Sequence, residues 1–258
     1  MSTGDAVFAD GSKRVCLLTG ASGTLGTDFC TRFADRYSIA AVYRSHPLSV
    51  PSQDADVVDP LGLTGRTSID NHRVFAIQAD VTSEADDERI VEATLARFGR
   101  IDLVVHAAVH SVWGPMIGSD PLQRSGQQQF ATNVLAPLKL SLVVASRYWA
   151  SHQIENRILN RNIVNVSSVA GLRIYPGSGQ SLYASSKAAL NHLTAHMAVE
   201  FGAIGVRVNA TAPNSFPSLV PTSRATDSII RLDGGSETGV VVVVEGSEDR
   251  SITLDNYI

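Results

Sequence analysis

Short apolar runs alternate with longer stretches of mixed polarity along this chain, and the rhythm predicts strands interleaved with helices. Arg14–Thr19, Ile39–Tyr43, Val74–Asp80, Ile101–Ala108, Arg161–Ser168, Val206–Ala210 and Val240–Val244 read as strands. Helices are expected over Thr27–Tyr37, over Glu84–Phe98 with Gly99 as its stop, over Ser119–Ser151, over Tyr183–Phe201 and near Ser228–Leu232. The long third helix carries the stripe Phe130, Val134, Leu138 and Leu142, and Pro137 should kink it. His46 to Arg73 is rich in Pro, Gly, Ser and Asp and reads as a surface excursion. Crossovers of these lengths imply right-handed connections and parallel pairing. The expected fold class is α/β, a three-layer, doubly wound parallel sheet of about seven strands with helices on both faces. No repeat or compositional break divides residues 1–258, so one domain is expected, with a core over 12–247 and tails at 1–11 and 248–258.

Candidate chemistry sits where strands end. Gly20-Ala-Ser-Gly-Thr-Leu-Gly26 joins the first strand to the first helix. A glycine-rich turn there exposes backbone N–H groups and a helix dipole to an anion, and it suits a dinucleotide pyrophosphate. Arg44-Ser45 closes the second strand where an acid would bind the adenine ribose of NAD. An Arg there favours the 2′-phosphate of NADP, the alternative being a solvated side chain. Asp80-Val81 is placed either to contact adenine or to help cap the next helix, with Thr82 and Ser83 also available for the cap. Tyr183 and Lys187 share one helix face about a turn apart, so the ammonium could lower the phenol pKa for proton transfer at a carbonyl oxygen. Ser168, at a strand end, can reach the same atom.

Composition narrows the field. A net charge of −4 argues against a general nucleic-acid binder. No apolar run is long enough to cross a bilayer, and Met1 to Gly11 lacks a signal-peptide core, so a cytoplasmic protein is expected. Cys16 and Cys30 fall in a strand and a helix and read as reduced core thiols. The glycosylation patterns at Asn165 and Asn209 fall in or beside core strands and are discounted. His192 and His196 have metal-ligand spacing without a third ligand, so helix packing or a subunit surface is preferred and no metal is expected. His106 either faces the cofactor or belongs to the core. Ser181, Ser185 and Ser186 lack the Gly-x-Ser-x-Gly elbow of a hydrolase.

Taken in order, several short pieces resemble the short-chain dehydrogenase/reductase family across Lys13 to Gly246. They are Thr19-Gly-Ala-Ser-Gly-Thr-Leu-Gly26, Asp80-Val81, Arg97-Phe-Gly-Arg-Ile-Asp102, Asn133-Val134, Asn165-Val-Ser-Ser168, Tyr183-Ala-Ser-Ser-Lys187, Val206-Arg-Val-Asn-Ala210 and Thr238-Gly239. The resemblance implies a Rossmann fold, bound NADP(H) or NAD(H), and hydride transfer between the nicotinamide and a carbonyl or alcohol. By matching position, Tyr183 would be the general acid, Lys187 would hold the nicotinamide ribose and depress the Tyr183 pKa, Ser168 would bind the substrate oxygen, and Asn133 would hold a relay water to Lys187. Gly20, Ser22, Gly23, Thr24, Leu25, Gly26, Arg44, Ser45, Asp80, Val81, Ala107, Tyr183, Lys187 and Pro213 would contact the cofactor. A homodimer or homotetramer pairing through the two long helices is implied as well.

The departures from the family pattern also matter. Thr24 replaces the second glycine of the usual first turn, His106-Ala-Ala-Val109 replaces Asn-Asn-Ala-Gly, and Asn214 replaces a common Gly. The loop from Ser168 to Tyr183 is slightly long, and the stretch from Pro213 to Thr238 is short for a substrate lid, which implies an open pocket for a bulky substrate or one completed by another subunit. Two other readings compete with a carbonyl reductase. One is a non-catalytic dinucleotide-binding homologue; the other is an epimerase or dehydratase of the longer branch, whose glycine spacing Thr19 to Gly26 resembles.

Overall fold

A computed structural model describes residues 13–48, 74–118, 120–245 and 248–253. The expected excursion after His46 lies mostly outside these residues. The apolar runs become strands β1 (Arg14–Thr19), β2 (Tyr37–Tyr43), β3 (Val74–Gln78), β4 (Leu103–His106), β5 (Asn162–Val166), β6 (Arg207–Pro213) and β7 (Val240–Glu245). Their order is β3-β2-β1-β4-β5-β6-β7, all parallel, and β8 (Glu248–Thr253) adds an antiparallel edge beside β7. The order reverses between β1 and β4, so the carboxyl ends of those strands open a crevice suited to a ligand.

Alternation along the strands fills two cores. Cys16 and Leu18 of β1 and Val242 and Val244 of β7 pack with helices α1 (Thr24–Phe33) and α7 (Thr222–Gly234). Leu17 and Val104 point to the other face, against α2 (Glu84–Phe98), α4 (Ala136–Arg147) and α6 (Ser181–Ala203). Both faces of the sheet are therefore covered, as near-continuous apolar strands require. Cys16 and Cys30 are free, buried thiols. Asn165 and Asn209 are fully buried, out of reach of glycosylation. No helix among the described residues is long and apolar enough to cross a membrane.

Four expectations need correction. Helix α1 stops at Phe33, because Tyr37 opens β2 and its buried hydroxyl donates to Asp233 Oδ2 at 2.8 Å. The third helix is not continuous. It runs as α3 (Asp120–Phe130), a wide π turn over Ala131–Leu135 and then α4. Pro137 has no N–H for the carbonyl one turn back, and the wide turn just before it absorbs the defect, with Ala136 N–H bonding Ala131 O. The stripe meets the core only in part: Leu138 packs against it, Leu142 is 51 % exposed, and Asn133, Ala136, Leu140, Ser141 and Val144 are the buried residues. The buried face mixes apolar Ala136, Leu140 and Val144 with hydrogen-bonded Asn133 and Ser141, so the stripe is rotated only part-way from it. Lastly, Glu248–Thr253 is an edge strand rather than a tail, tied to α7 by the Arg224–Asp249 ion pair and by Arg231 Nη2 donating to Ser251 Oγ at 3.1 Å. Helix α5 (Gln153–Ile158) was not expected at all, and α7 is longer than its apolar centre suggested.

Helix α2 carries a conspicuous cost. Asp87 is 1 % exposed, and neither carboxylate oxygen has a hydrogen-bond partner. Burial raises its pKa to about 7; Lys139 opposes the shift, while Asp86, Glu84 and Glu88 add to it. The folded chain thus holds this proton more tightly than the unfolded chain. The associated stability is full below about pH 4 and is lost as pH rises toward 7. Asp87→Asn should remove this penalty. In thermal unfolding followed against pH, its Tm advantage should grow from pH 4 to 7 and reach roughly 3 °C or more. Parallel curves for parent and variant would contradict the assignment.

Candidate active site

The turn after β1 is shaped by what cannot fit there. Gly20 has φ 69°, and a Cβ on it would lie 2.6 Å from Ala107 O. A Cβ on Gly26 would lie 2.5 Å from Ala21 Cα. Helix α1 therefore starts hard against β1 and β4. Its N-cap, Gly23, offers no side-chain hydrogen bond, which leaves the first-turn N–H groups of Thr24, Leu25 and Gly26 for an anion. Thr24 is exposed at this helix start, whereas the Leu25 side chain belongs to the core. Only the backbone of Leu25 can serve the turn.

A cleft of about 250 Å³ extends from this turn; Ser22, Arg44, Ser45, Asp80, Val81 and Ala107 are among its lining residues. Arg44 and Ser45 are exposed at the end of β2, and the Arg44 guanidinium makes no ion pair among the described residues. Asp80 lies at the cleft but does not cap α2. It lines the cleft, while its Oδ1 accepts from Thr82 N–H at 2.9 Å and from the Thr82 hydroxyl at 2.7 Å. Ser83 caps α2. Pro213 is buried as the last residue of β6.

Helix α6 is fastened to the end of β5. Lys187 Nζ donates to Val166 O at 2.7 Å, Ser167 Oγ donates to Lys187 O at 3.3 Å, and Asn165 Nδ2 donates to Thr194 Oγ1 at 2.9 Å. Gly171 lets the chain cross the helix here, since a Cβ would lie 2.7 Å from the Lys187 carbonyl carbon. This brings Tyr183 near enough to Ser168 for the serine hydroxyl to oppose the rise of its pKa. Lys187 Nζ stands 6.0 Å from the centre of the Tyr183 ring. Tyr183, Ser168 and Lys187 thus come together as expected. Asn133 is buried nearby with different partners: its Oδ1 accepts from His110 N–H and its Nδ2 donates to His110 O and to Ser186 Oγ, each at 2.9 Å.

The chain matches the family model for short chain dehydrogenases over residues 14–227. The chain belongs to the short-chain dehydrogenase family. It is 31 % identical over 204 residues to a 2-(R)-hydroxypropyl-CoM dehydrogenase of Xanthobacter autotrophicus, covering 78 % of this chain and 74 % of that one. It is 30 % identical over 200 residues to a 3-oxoacyl-acyl-carrier-protein reductase of Thermotoga maritima, covering 78 % and 73 %. A short chain dehydrogenase from Mycobacterium avium shares the fold at a TM-score of 0.73 and 24 % identity, covering 93 % of this chain and 84 % of that one.

In this short-chain dehydrogenase the electrostatics differ from the sequence expectation. Burial raises the Tyr183 pKa, and the Ser168 hydrogen bond offsets this in part. Burial also lowers Lys187 to about 7, so in the chain by itself the ammonium is too weakly held to pull the phenol down. His106 is a core residue, with Nε2 2.9 Å from Ser141 Oγ and its pKa lowered to about 3 by burial. His192 and His196 lie exposed with their Nε2 atoms 3.2 Å apart. No group of three or more potential metal ligands gathers among the described residues. A larger cavity of about 1090 Å³ lies between the loop after β5 and the start of α6, with Gly114, Gly171, Ser181 and Ala184 among its lining residues.

Sequence reasoning missed Gly171 and Trp113, whose ring centroid lies 6.3 Å from that of Tyr183. A glycine three residues after the strand-end Ser168, and a Trp followed by Gly-Pro, were the available signals. Gly171→Ala should lower Tm by roughly 2–10 °C, because overpacking must push α6 away from β5. Gly202→Ala, where a Cβ would meet nothing within 4 Å, should be neutral or stabilising in the same melts. Equal Tm values for the two variants would contradict the close contact.

Proposed function

We propose that this chain is an NADP-preferring reductase of carbonyl compounds that can also run as an alcohol dehydrogenase. The observation that carries the reading is Tyr183 held beside Ser168 by the Lys187–Val166 contact, at the carboxyl edge that the glycine turn also faces. The turn fits a dinucleotide: its glycines leave room where side chains would clash, and the orphan N–H groups of α1 suit a pyrophosphate. Arg44 and Ser45 would take the 2′-phosphate, and Asp80, Val81 and Ala107 would border the adenosine. A bound nicotinamide supplies the hydride.

The side chains divide the remaining work. Ser168 donates a hydrogen bond to the substrate oxygen and stabilises the charge that develops there. Tyr183 passes its phenolic proton to that oxygen in reduction and takes it back in oxidation. Lys187, fixed by Val166 O, holds the nicotinamide ribose hydroxyls and gains acceptors that favour its charged form. Asn133 secures the backbone at His110, on the rim of the cleft. A separate dehydrogenase and a separate reductase among the relatives are consistent with chemistry in either direction.

A dimer is the proposed assembly. Leu135 just before α4, Leu142 on α4 and Val199 on α6 stand exposed on the helices that would pair. Two variants test the enzymatic reading. Tyr183→Phe should cut ketone-dependent NADPH oxidation by about 10²-fold or more, with NADPH affinity within a few-fold of the parent. Arg44→Ala should weaken NADPH binding by about 10-fold or more and leave NADH binding unchanged. Unchanged turnover in the first variant, or equal losses for both cofactors in the second, would overturn the corresponding assignment.

A further inference from the structure

The segment from His110 to Gly114 is clamped at every second residue. Asn133 takes both backbone groups of His110. Buried Gln129, one helical turn earlier, takes both backbone groups of Val112 at 3.3 Å each. Gly114 N–H donates to Gly179 O at 2.8 Å. The backbone between these clamps is fixed, yet Trp113 is 55 % exposed with its ring against Tyr183. A rigidly presented, solvent-facing indole is costly unless something covers it. The other tryptophan, Trp149, is fully buried and donates to Ile101 O.

The surrounding loops share this character. Residues 107–118, 169–180 and 214–221 follow β4, β5 and β6 and contain no Lys, Asp or Glu and a single Arg. That residue, Arg173, is engaged by both oxygens of Glu245 at 2.9 and 2.7 Å. Among the large apolar side chains on these loops, Met116, Ile117, Ile174 and Leu219 are each at least 66 % exposed. His110 lines the cofactor cleft. No free charge of these loops is available to anchor a carboxylate or phosphate on the substrate.

We propose that Trp113 is a specificity-determining wall of the substrate site, and that the substrate is an uncharged carbonyl compound whose larger substituent is a bulky aromatic or apolar group stacked on that indole. The inference deepens the reductase reading and rests on it for the role of Tyr183. Gln129 is then a positioning residue that holds Trp113 in place through the Val112 backbone.

The test compares propiophenone with acetoacetate under saturating NADPH, in the parent, Trp113→Ala and Trp113→Phe. The parent should prefer propiophenone. Trp113→Ala should raise the propiophenone KM by about tenfold or more with little change in kcat or in acetoacetate kinetics, and Trp113→Phe should recover most of the loss. Propiophenone should also shield the exposed tryptophan from acrylamide quenching, a signal that Trp149 cannot supply. Preference for acetoacetate, or equal losses for both ketones in Trp113→Ala, overturns this proposal and leaves the reductase reading intact. Shielding without turnover of either ketone supports the indole site and counts against the reductase reading. Neither turnover nor shielding overturns the proposal.

Discussion

The site depends on one junction, where helix α6 is pinned across the end of β5. The Lys187 ammonium gives a hydrogen bond to Val166 O inside the protein, and Gly171 removes the side chain that would hold the two apart. A buried amine left without an acceptor would be costly, so this contact is held whichever protonation state Lys187 adopts. The contact therefore sets the height and rotation of α6. Tyr183, one turn before Lys187, is carried with it to Ser168 at the strand end. A static strand end and a rigid helix hold the two hydroxyls more closely than loops would.

The two edges of the sheet are built for different purposes. At the amino edge, charge is spent on cohesion. Asp102 is fully buried and accepts from Val15 N–H, Arg100 and Arg161, while Arg14 pairs with Asp233 at 2.8 Å. These pairs lock β1, β4, β5 and α7 together, and each carboxylate is surrounded by donors that repay its desolvation. At the carboxyl edge the loops after β4, β5 and β6 are nearly free of charge, and buried amides brace the first of them through its backbone. Gln129 and Asn133 use their amides as struts for residues 110–112. Stability and recognition are thereby separated along the strand axis.

Much of this was legible in the sequence. Helix α2 begins and ends where its capping serine and Gly99 said it would, and β1 matches its apolar run. The glycines of the first turn and the pair Tyr183 and Lys187 declared themselves by position. Apolar patterning was misled where polar residues share the buried face. Asn133 and Ser141 lie inside because His110 and His106 meet them, so the stripe through Leu142 was turned toward solvent. It failed also at β8, whose Glu-Asp-Arg-Ser sequence pairs through its backbone while Arg250 and Ser251 stay exposed. Trp113 could not be placed from sequence, because its position depends on clamps from residues distant along the chain.

The account's central claim is that the glycine turn and the assembled hydroxyls form a working nicotinamide site. Calorimetric titration of the unmodified chain with NADPH and NADH, run separately, tests it most directly. The account predicts NADPH binding that is tighter than NADH binding. Binding of neither cofactor would contradict it, and would mean that Thr24 and Val109 close a cleft whose walls are otherwise in place.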